Sequence, residues 1–348
     1  MQQLRVLLGV ELPIIQAPMA GAQSSRLALA VSNAGGLGSL PCALLSLDAL
    51  RAELHAITAQ TSKPFNVNFF CHTPPTPNEK KEVAWRTLLA PYYRELGLDI
   101  ETIPAGPARS PFTAEAADIL AEFKPPVVSF HFGLPAPELL QRVRTWGAKI
   151  ISTATTVAEA EWLAARGVDA IIAQGLEAGG HRGHFLSNDL ARQSNTLDLV
   201  RRMVQSLQIP VIAAGGIMDT KGVAEVMALG ASGVQIGTAY LLCPEADTSA
   251  VHRAALQCTD ARQTALTNLF TGRPARGISN RLMRELGAIH SAAPDFPLAA
   301  GAIAPLRAKA ESQGSGDFSP LWAGAKAVAC RPIPADELTS ALAEYTSA

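Results

Sequence analysis

The chain has 348 residues, 29 basic against 30 acidic side chains for a formal charge of −1, and 48% hydrophobic residues. That balance leaves no basic footprint for nucleic acid, supplies enough apolar surface for a large core rather than a disordered chain, and contains no run of about 20 apolar residues to span a membrane. Five cysteines (Cys42, Cys71, Cys243, Cys258, Cys330) lie far apart with no C-x-x-C pair, which argues against a zinc site and for reduced, mostly buried thiols in a cytoplasm.

Residues Met1–Glu11 lack a small-residue cleavage site and read as the lead-in to a first strand, not as a signal peptide. Short β-branched or apolar runs then recur at Pro13–Ala17, Leu37–Leu40, Phe65–Phe69, Val127–Phe130, Lys149–Ser152, Ala170–Ala173, Val211–Ala213 and Gly233–Ile236. Helical patterns fall between them at Ser25–Asn33, Leu47–Gln60, Pro137–Trp146, Val157–Arg166, Leu197–Leu207 and Thr220–Leu229. Gly147, Gly167 and Gly230 stand where helices need a left-handed C-terminal residue before the next strand. Eight strands in strict alternation with helices predict an α/β fold, a (β/α)8 TIM barrel, rather than an open doubly wound sheet. No G-x-G-x-x-G follows the first strand.

Two regions break the rhythm. Residues 72–111, proline-rich with a helix over Asn78–Leu96, read as an excursion over the barrel mouth. Residues 246–318, with helical stretches Ala246–Ala261, Ser279–Leu286 and Leu298–Ser312, read as a smaller, mainly helical cap. The barrel is assigned to 1–71 and 112–245, and 319–348 to a segment packing back on it.

In a barrel of this kind the site lies in the loops after the strand C-termini. The sixth strand runs into Gln174-Gly175-Leu176-Glu177-Ala178-Gly179-Gly180-His181-Arg182-Gly183. Its glycines let backbone N–H groups approach a planar or anionic ligand, and His181 is placed as a general base; a turn with a merely solvated histidine is the alternative. Strands seven and eight end in Gly215-Gly216 and Gln235-Ile236-Gly237-Thr238, the pair of ends that cradles a phosphate. Met19, in the turn after the first strand, is suited to the edge of a flat ring. Asn68, Gln174 and Gln235 are amides at apolar strand ends that need polar partners. His131 ends the fourth strand, either as a ligand contact or as a satisfied structural residue. His184 is expected to be solvated, and no G-x-S-x-G elbow occurs.

In this order, Gln16–Gly21, Ser32–Ser39, Phe65–Phe69, Ser129–Pro135, Gln174–Gly183, Val211–Ile217, Gln235–Thr238 and Thr271–Gly277 resemble the nitronate monooxygenase family, class I, over nearly the whole chain. The resemblance implies an FMN-dependent oxidation of alkyl nitronates by O2 to a carbonyl compound and nitrite, by one-electron transfer to the flavin. It implies His181 as the catalytic residue, and Met19, Asn68, Gln174, Gly179, Gly215, Gly216 and Gln235 to Thr238 as FMN contacts. Substrate-side candidates are His131, Phe296 and Arg307. Phe296 stands where the family tends to place tyrosine, which removes a hydroxyl donor, and Arg307 is either an anion contact or a solvated helix face. The implied partners are a small nitronate or nitroalkane and O2, in a cytoplasmic monomer or homodimer. Two rival readings are an FMN-dependent NAD(P)H-linked reductase, acting on an enoyl-acyl-carrier protein or a quinone, and a non-catalytic flavin-binding protein on the same barrel.

Overall fold

The computed structural model describes residues 2–103 and 109–345; residues 104–108 of the excursion and 346–348 of the C-terminal segment lie outside the described residues. The chain begins with α1 (Gln2–Leu8), then alternates β1 (Ile14–Gln16), α2 (Ser25–Asn33), β2 (Gly38–Pro41), α3 (Leu47–Gln60) and β3 (Phe65–Phe70). After α4 (Glu79–Glu95) and α5 (Ala114–Phe123) come β4 (Val127–His131), α6 (Pro137–Arg144), β5 (Lys149–Ala154), α7 (Val157–Ala164) and β6 (Ala170–Gln174). A two-residue strand β7 (Gly180–His181) precedes α8 (Thr196–Ser206), β8 (Val211–Ala214), α9 (Thr220–Ala228) and β9 (Gly233–Ile236).

Eight of these strands form one parallel sheet in the order β1-β9-β8-β6-β5-β4-β3-β2. A parallel bridge between Ile15 and Leu37 joins β1 to the start of β2 and rounds the sheet into a barrel. All eight strands expected from the sequence are present. Their runs are buried on both faces and mostly apolar, as a sheet covered by helices outside and filled inside requires, with polar residues such as Gln16, Asn68 and Gln174 among them. The outer helices begin on side-chain caps: Ser46, Thr156, Asn195 and Asp219 each accept a backbone N–H from the first turn of the helix that follows. Helices α6 and α7 stop at Arg144 and Ala164, two residues earlier than expected, and glycines at φ +81° and +74° (Gly147, Gly167) follow.

The N-terminus departs from its expected role as a simple lead-in, because residues 2–8 are helical. Leu4 and Leu8, one turn apart, lie fully or almost fully buried with Ile15, Leu37, Val127, Ile151, Ile172 and Ile212 in one cluster. A helix of seven residues has little stability of its own; burial of this stripe holds it against the barrel.

Beyond β9 the chain forms α10 (Ala250–Gln257), β10 (Thr264–Thr267), β11 (Ala275–Ile278), α11 (Arg281–Leu286), α12 (Ala300–Ser312) and α13 (Ala335–Ala343). This region carries an element the helical reading missed, an antiparallel sheet in the order β10-β11-β7 that pairs Ala275 with His181 and Arg276 with Gly180. A second hydrophobic cluster joins α4 to α12 through Trp85, Leu89, Tyr93, Ile303 and Leu306. Tyr93 Oη donates to the Ala302 carbonyl at 2.6 Å within it. Helix α13 packs on α2 and α9 in the barrel's outer ring, where the hydroxyls of Tyr240 and Thr339 meet at 2.8 Å. Among the described residues no helix is long and apolar enough to cross a membrane.

Candidate active site

The C-terminal strand ends enclose a cavity of about 260 Å³. The structure brings Met19, Asn68, His131, Gln174, Gly179, His181, Gly215, Gly216, Gln235, Ile236, Gly237, Thr238 and Arg307 together in its lining. Phe296 is not in that lining; its ring is buried against His181, with centroids 5.3 Å apart.

A buried amide relay shapes the β1 side. Gln16 accepts the Ser39 N–H at 3.0 Å and donates to Gln23 at 2.7 Å. Gln23 in turn accepts the Met19 N–H at 2.9 Å and so fixes the turn that carries Met19. On the opposite wall Asn68 donates to the Ser129 hydroxyl at 2.9 Å. Each amide thereby offsets its burial in an apolar barrel.

The glycine loop is held by arginines. Arg182 is fully buried and donates to Gln193 Oε1 and to the carbonyls of Gly175 and Gln174, at 2.7–2.8 Å. Arg276 donates to the Leu176 carbonyl at 2.8 Å from β11, and Arg273 donates to the carbonyl of His184 while stacking over Phe132 at 4.2 Å. Gln174 donates to the His181 carbonyl at 2.9 Å and accepts the Gly183 N–H at 2.8 Å, so its amide is engaged by the loop itself. His131 Nε2 lies 3.3 Å from that same His181 carbonyl, the relation expected of a structural partner that also faces the cavity.

His181 therefore has its backbone held by two side chains, and its ring Nε2 meets Thr271 Oγ1 at 2.9 Å. The rings of Phe296 and Trp322 flank it, the latter at 5.4 Å. Burial, then the nearby Arg109 charge, holds the imidazole well below its ordinary pKa. It is neutral across the physiological range, the state in which an imidazole accepts a proton. His131 is pushed down to about 3, chiefly by burial. Contrary to expectation, His184 is buried, 2% exposed, and is also pushed down to about 3.

Elsewhere in the lining, backbone takes over from side chains. Gly179 faces Gly324: a Cβ built on Gly179 would stand 2.6 Å from the Gly324 nitrogen, so only glycine admits this approach. Thr238 Oγ1 accepts the Gly324 N–H at 3.0 Å. Gln235 Oε1 is buried with no protein partner among the described residues, an orphan acceptor at the cavity wall that a ligand N–H would satisfy. The charged side chains of the lining are Arg109, Arg307 and Lys326, and among the described residues no aspartate or glutamate joins them there. Arg109, His252, Trp322, Gly324 and Lys326 were not singled out from the sequence. Only Gly324, by its glycine, carried any local hint.

Residues 2–344 match the family model "Nitronate monooxygenase". The chain is 41% identical over 344 residues to a nitronate monooxygenase of Pseudomonas aeruginosa, covering 97% of each, and 40% identical to one of Paraburkholderia phytofirmans, covering 97% and 92%. Among solved structures it is similar to nitroalkane oxidase from Streptomyces ansochromogenes, with a TM-score of 0.89, 36% identity and coverage of 99% and 97%. It is also similar to FabK from Thermotoga maritima, with a TM-score of 0.69, 26% identity and coverage of 98% and 94%. A family-model match over residues 2–344, relatives at 40–41% identity over 97% of the chain and a barrel that superposes on nitroalkane oxidase along its length make this chain an oxidoreductase of the nitronate monooxygenase family.

Proposed function

We propose that this enzyme uses FMN and O2 to convert alkyl nitronates to a carbonyl compound and nitrite. The observation that carries this reading is buried His181 in a cavity whose lining also offers Gly215, Gly216, Gly237, Thr238 and Lys326 and, among the described residues, holds no carboxylate. Those residues fit a phosphate, and the orphan Gln235 Oε1 fits a ring N–H of an isoalloxazine. Met19, Asn68, Gln174 and Gly179 would flank that ring. FMN, when bound, supplies a one-electron acceptor for the nitronate and a donor for O2.

The protein's own part is positional and electrostatic. Neutral His181 accepts the α-proton of a neutral nitroalkane, or orients a nitronate that arrives already ionised. Gln174 and His131 fix its backbone, Thr271 fixes its ring, and Phe296 and Trp322 exclude water around it. The five free cysteines support a reducing, cytoplasmic setting.

Anaerobic absorbance spectroscopy of the purified holoenzyme tests the reading, with a nitronate and NADPH added in separate cuvettes. Reduction by the nitronate and not by NADPH is expected. Rapid reduction by NADPH alone moves the enzyme to the reductase branch that the FabK likeness represents, and a protein that cannot be loaded with FMN removes both readings.

A further inference from the structure

Among the described residues, Arg109 is the charge in this cavity that nothing compensates. Its Nη1 is buried and has no hydrogen-bond partner, and its guanidinium carbon sits 5.7 Å from the centroid of Phe296, the ring that packs on His181. The other two cations of the lining differ. Arg307 donates through Nε to Glu311 at 2.8 Å, and Lys326 is exposed. With no aspartate or glutamate in the described lining, the cavity wall supplies no counter-ion to Arg109. A guanidinium whose buried Nη1 has no acceptor is costly, and a planar anion with two oxygens answers its fork geometry.

We propose that Arg109 is the specificity-determining residue that receives the charged oxygens of the substrate, so that the enzyme selects the ionised nitronate over the neutral nitroalkane. The identity of that anion rests on the function proposed above; the existence of the anion site rests on the cavity alone. Arg109 and His181 line the same cavity and both lie against the Phe296 ring, at 5.7 Å and 5.3 Å from its centroid. An anion held by Arg109 in that cavity shares the neighbourhood of Phe296 with the imidazole. Burial, with Arg307 close by, lowers the Arg109 guanidinium only to about 10, so it remains charged at neutral pH.

Butyrate, a non-oxidisable two-oxygen anion, and butyramide, its neutral counterpart, probe the site by calorimetric titration of the holoenzyme. Wild type is expected to bind butyrate more tightly than butyramide. Arg109→Met should weaken butyrate by roughly 10- to 100-fold, the loss of a charge-assisted pair, and leave butyramide unchanged. Arg109→Lys, which keeps the charge and loses the fork, should fall between. Arg307→Met should cost less, because Glu311 already answers that charge. Equal butyrate binding by wild type and Arg109→Met, or loss of both probes together, overturns the proposal. Nitronate and nitroalkane turnover of the same proteins separates the two layers. If wild type oxidises neither but binds butyrate through Arg109, the functional reading falls and the anion site stands.

Discussion

His181 and Thr271 are joined by a 2.9 Å contact between an imidazole Nε2 and the hydroxyl of a residue only 1% exposed. The same hydroxyl lies 3.4 Å from the Arg273 carbonyl, to which it can donate while accepting the imidazole N–H. In that arrangement Nδ1 carries the lone pair, and Thr271 sets the tautomer of the ring.

Thr271→Val, which keeps the shape and removes the hydroxyl, should lower kcat with a nitroalkane by about fivefold, a buried hydrogen bond's worth of roughly 1 kcal/mol. Thr271→Ser should restore most of it. Unchanged kinetics in the valine variant would mean that packing by Phe296 and Trp322 orients the ring without help.

Acid should destabilise the fold through its buried imidazoles. His131 has a folded pKa of about 3 against an ordinary 6.5, so below pH 6.5 the unfolded chain takes up a proton that the native state refuses. Stability is intact above that pH and falls as pH drops from 6.5 toward 3, at up to about 1.4 kcal/mol per pH unit for one such group. Urea unfolding at about pH 7.5, 6 and 5 reads the slope, and a flat profile contradicts the assignment of neutral, buried histidine.

Gly216→Asp should strip the protein of flavin. The residue sits at φ +68°, and a Cβ there would stand 3.0 Å from Glu177 Cβ, so the substitution adds both strain and a carboxylate beside the proposed phosphate site. Gly216→Ala carries the strain alone and should retain more cofactor. The ratio of flavin to protein absorbance distinguishes them, and full occupancy in the aspartate variant would count against the phosphate assignment.

Leu4→Ala should cost about 2–5 kcal/mol, the usual range for emptying a closed core site, because Leu4 is fully buried with Ile15 and Ile212. The site lies at the strands' other end, so flavin content and kcat at room temperature should stay near wild type. A midpoint in urea unchanged from wild type would show that α1 contributes little to the barrel.

The barrel was legible because each strand announces itself locally. Ile171-Ile172 and Val211-Ile212 are short β-branched runs bounded by helix ends, and period and punctuation are properties of adjacent residues. The strand-end residues of the site were legible for the same reason, since Gln174–Gly183 and Gln235–Thr238 follow their strands directly. What stayed hidden depends on distance along the chain. Strand β7 is two residues long and exists only because Ala275 and Arg276 pair with it. Helix α1 carries too few apolar residues to declare itself without the barrel beneath it. Arg109, Trp322 and Lys326 reach the cavity from the stretch between α4 and α5 and from the stretch between α12 and α13, and no nearby residue types foretell where those turns of chain settle. Phe296 illustrates the converse: its segment was noticed, but its place behind His181 rather than on the cavity wall is a matter of packing.

Trp322, Gly324 and Lys326 complete a cavity whose sheet is already finished at Ile236. A nascent chain that has emerged as far as β9 thus owns every barrel strand yet lacks one wall of its pocket and the glycine that faces Gly179. A chain that ends before residue 322 is therefore expected to lack part of the cavity lining even where every barrel strand is present.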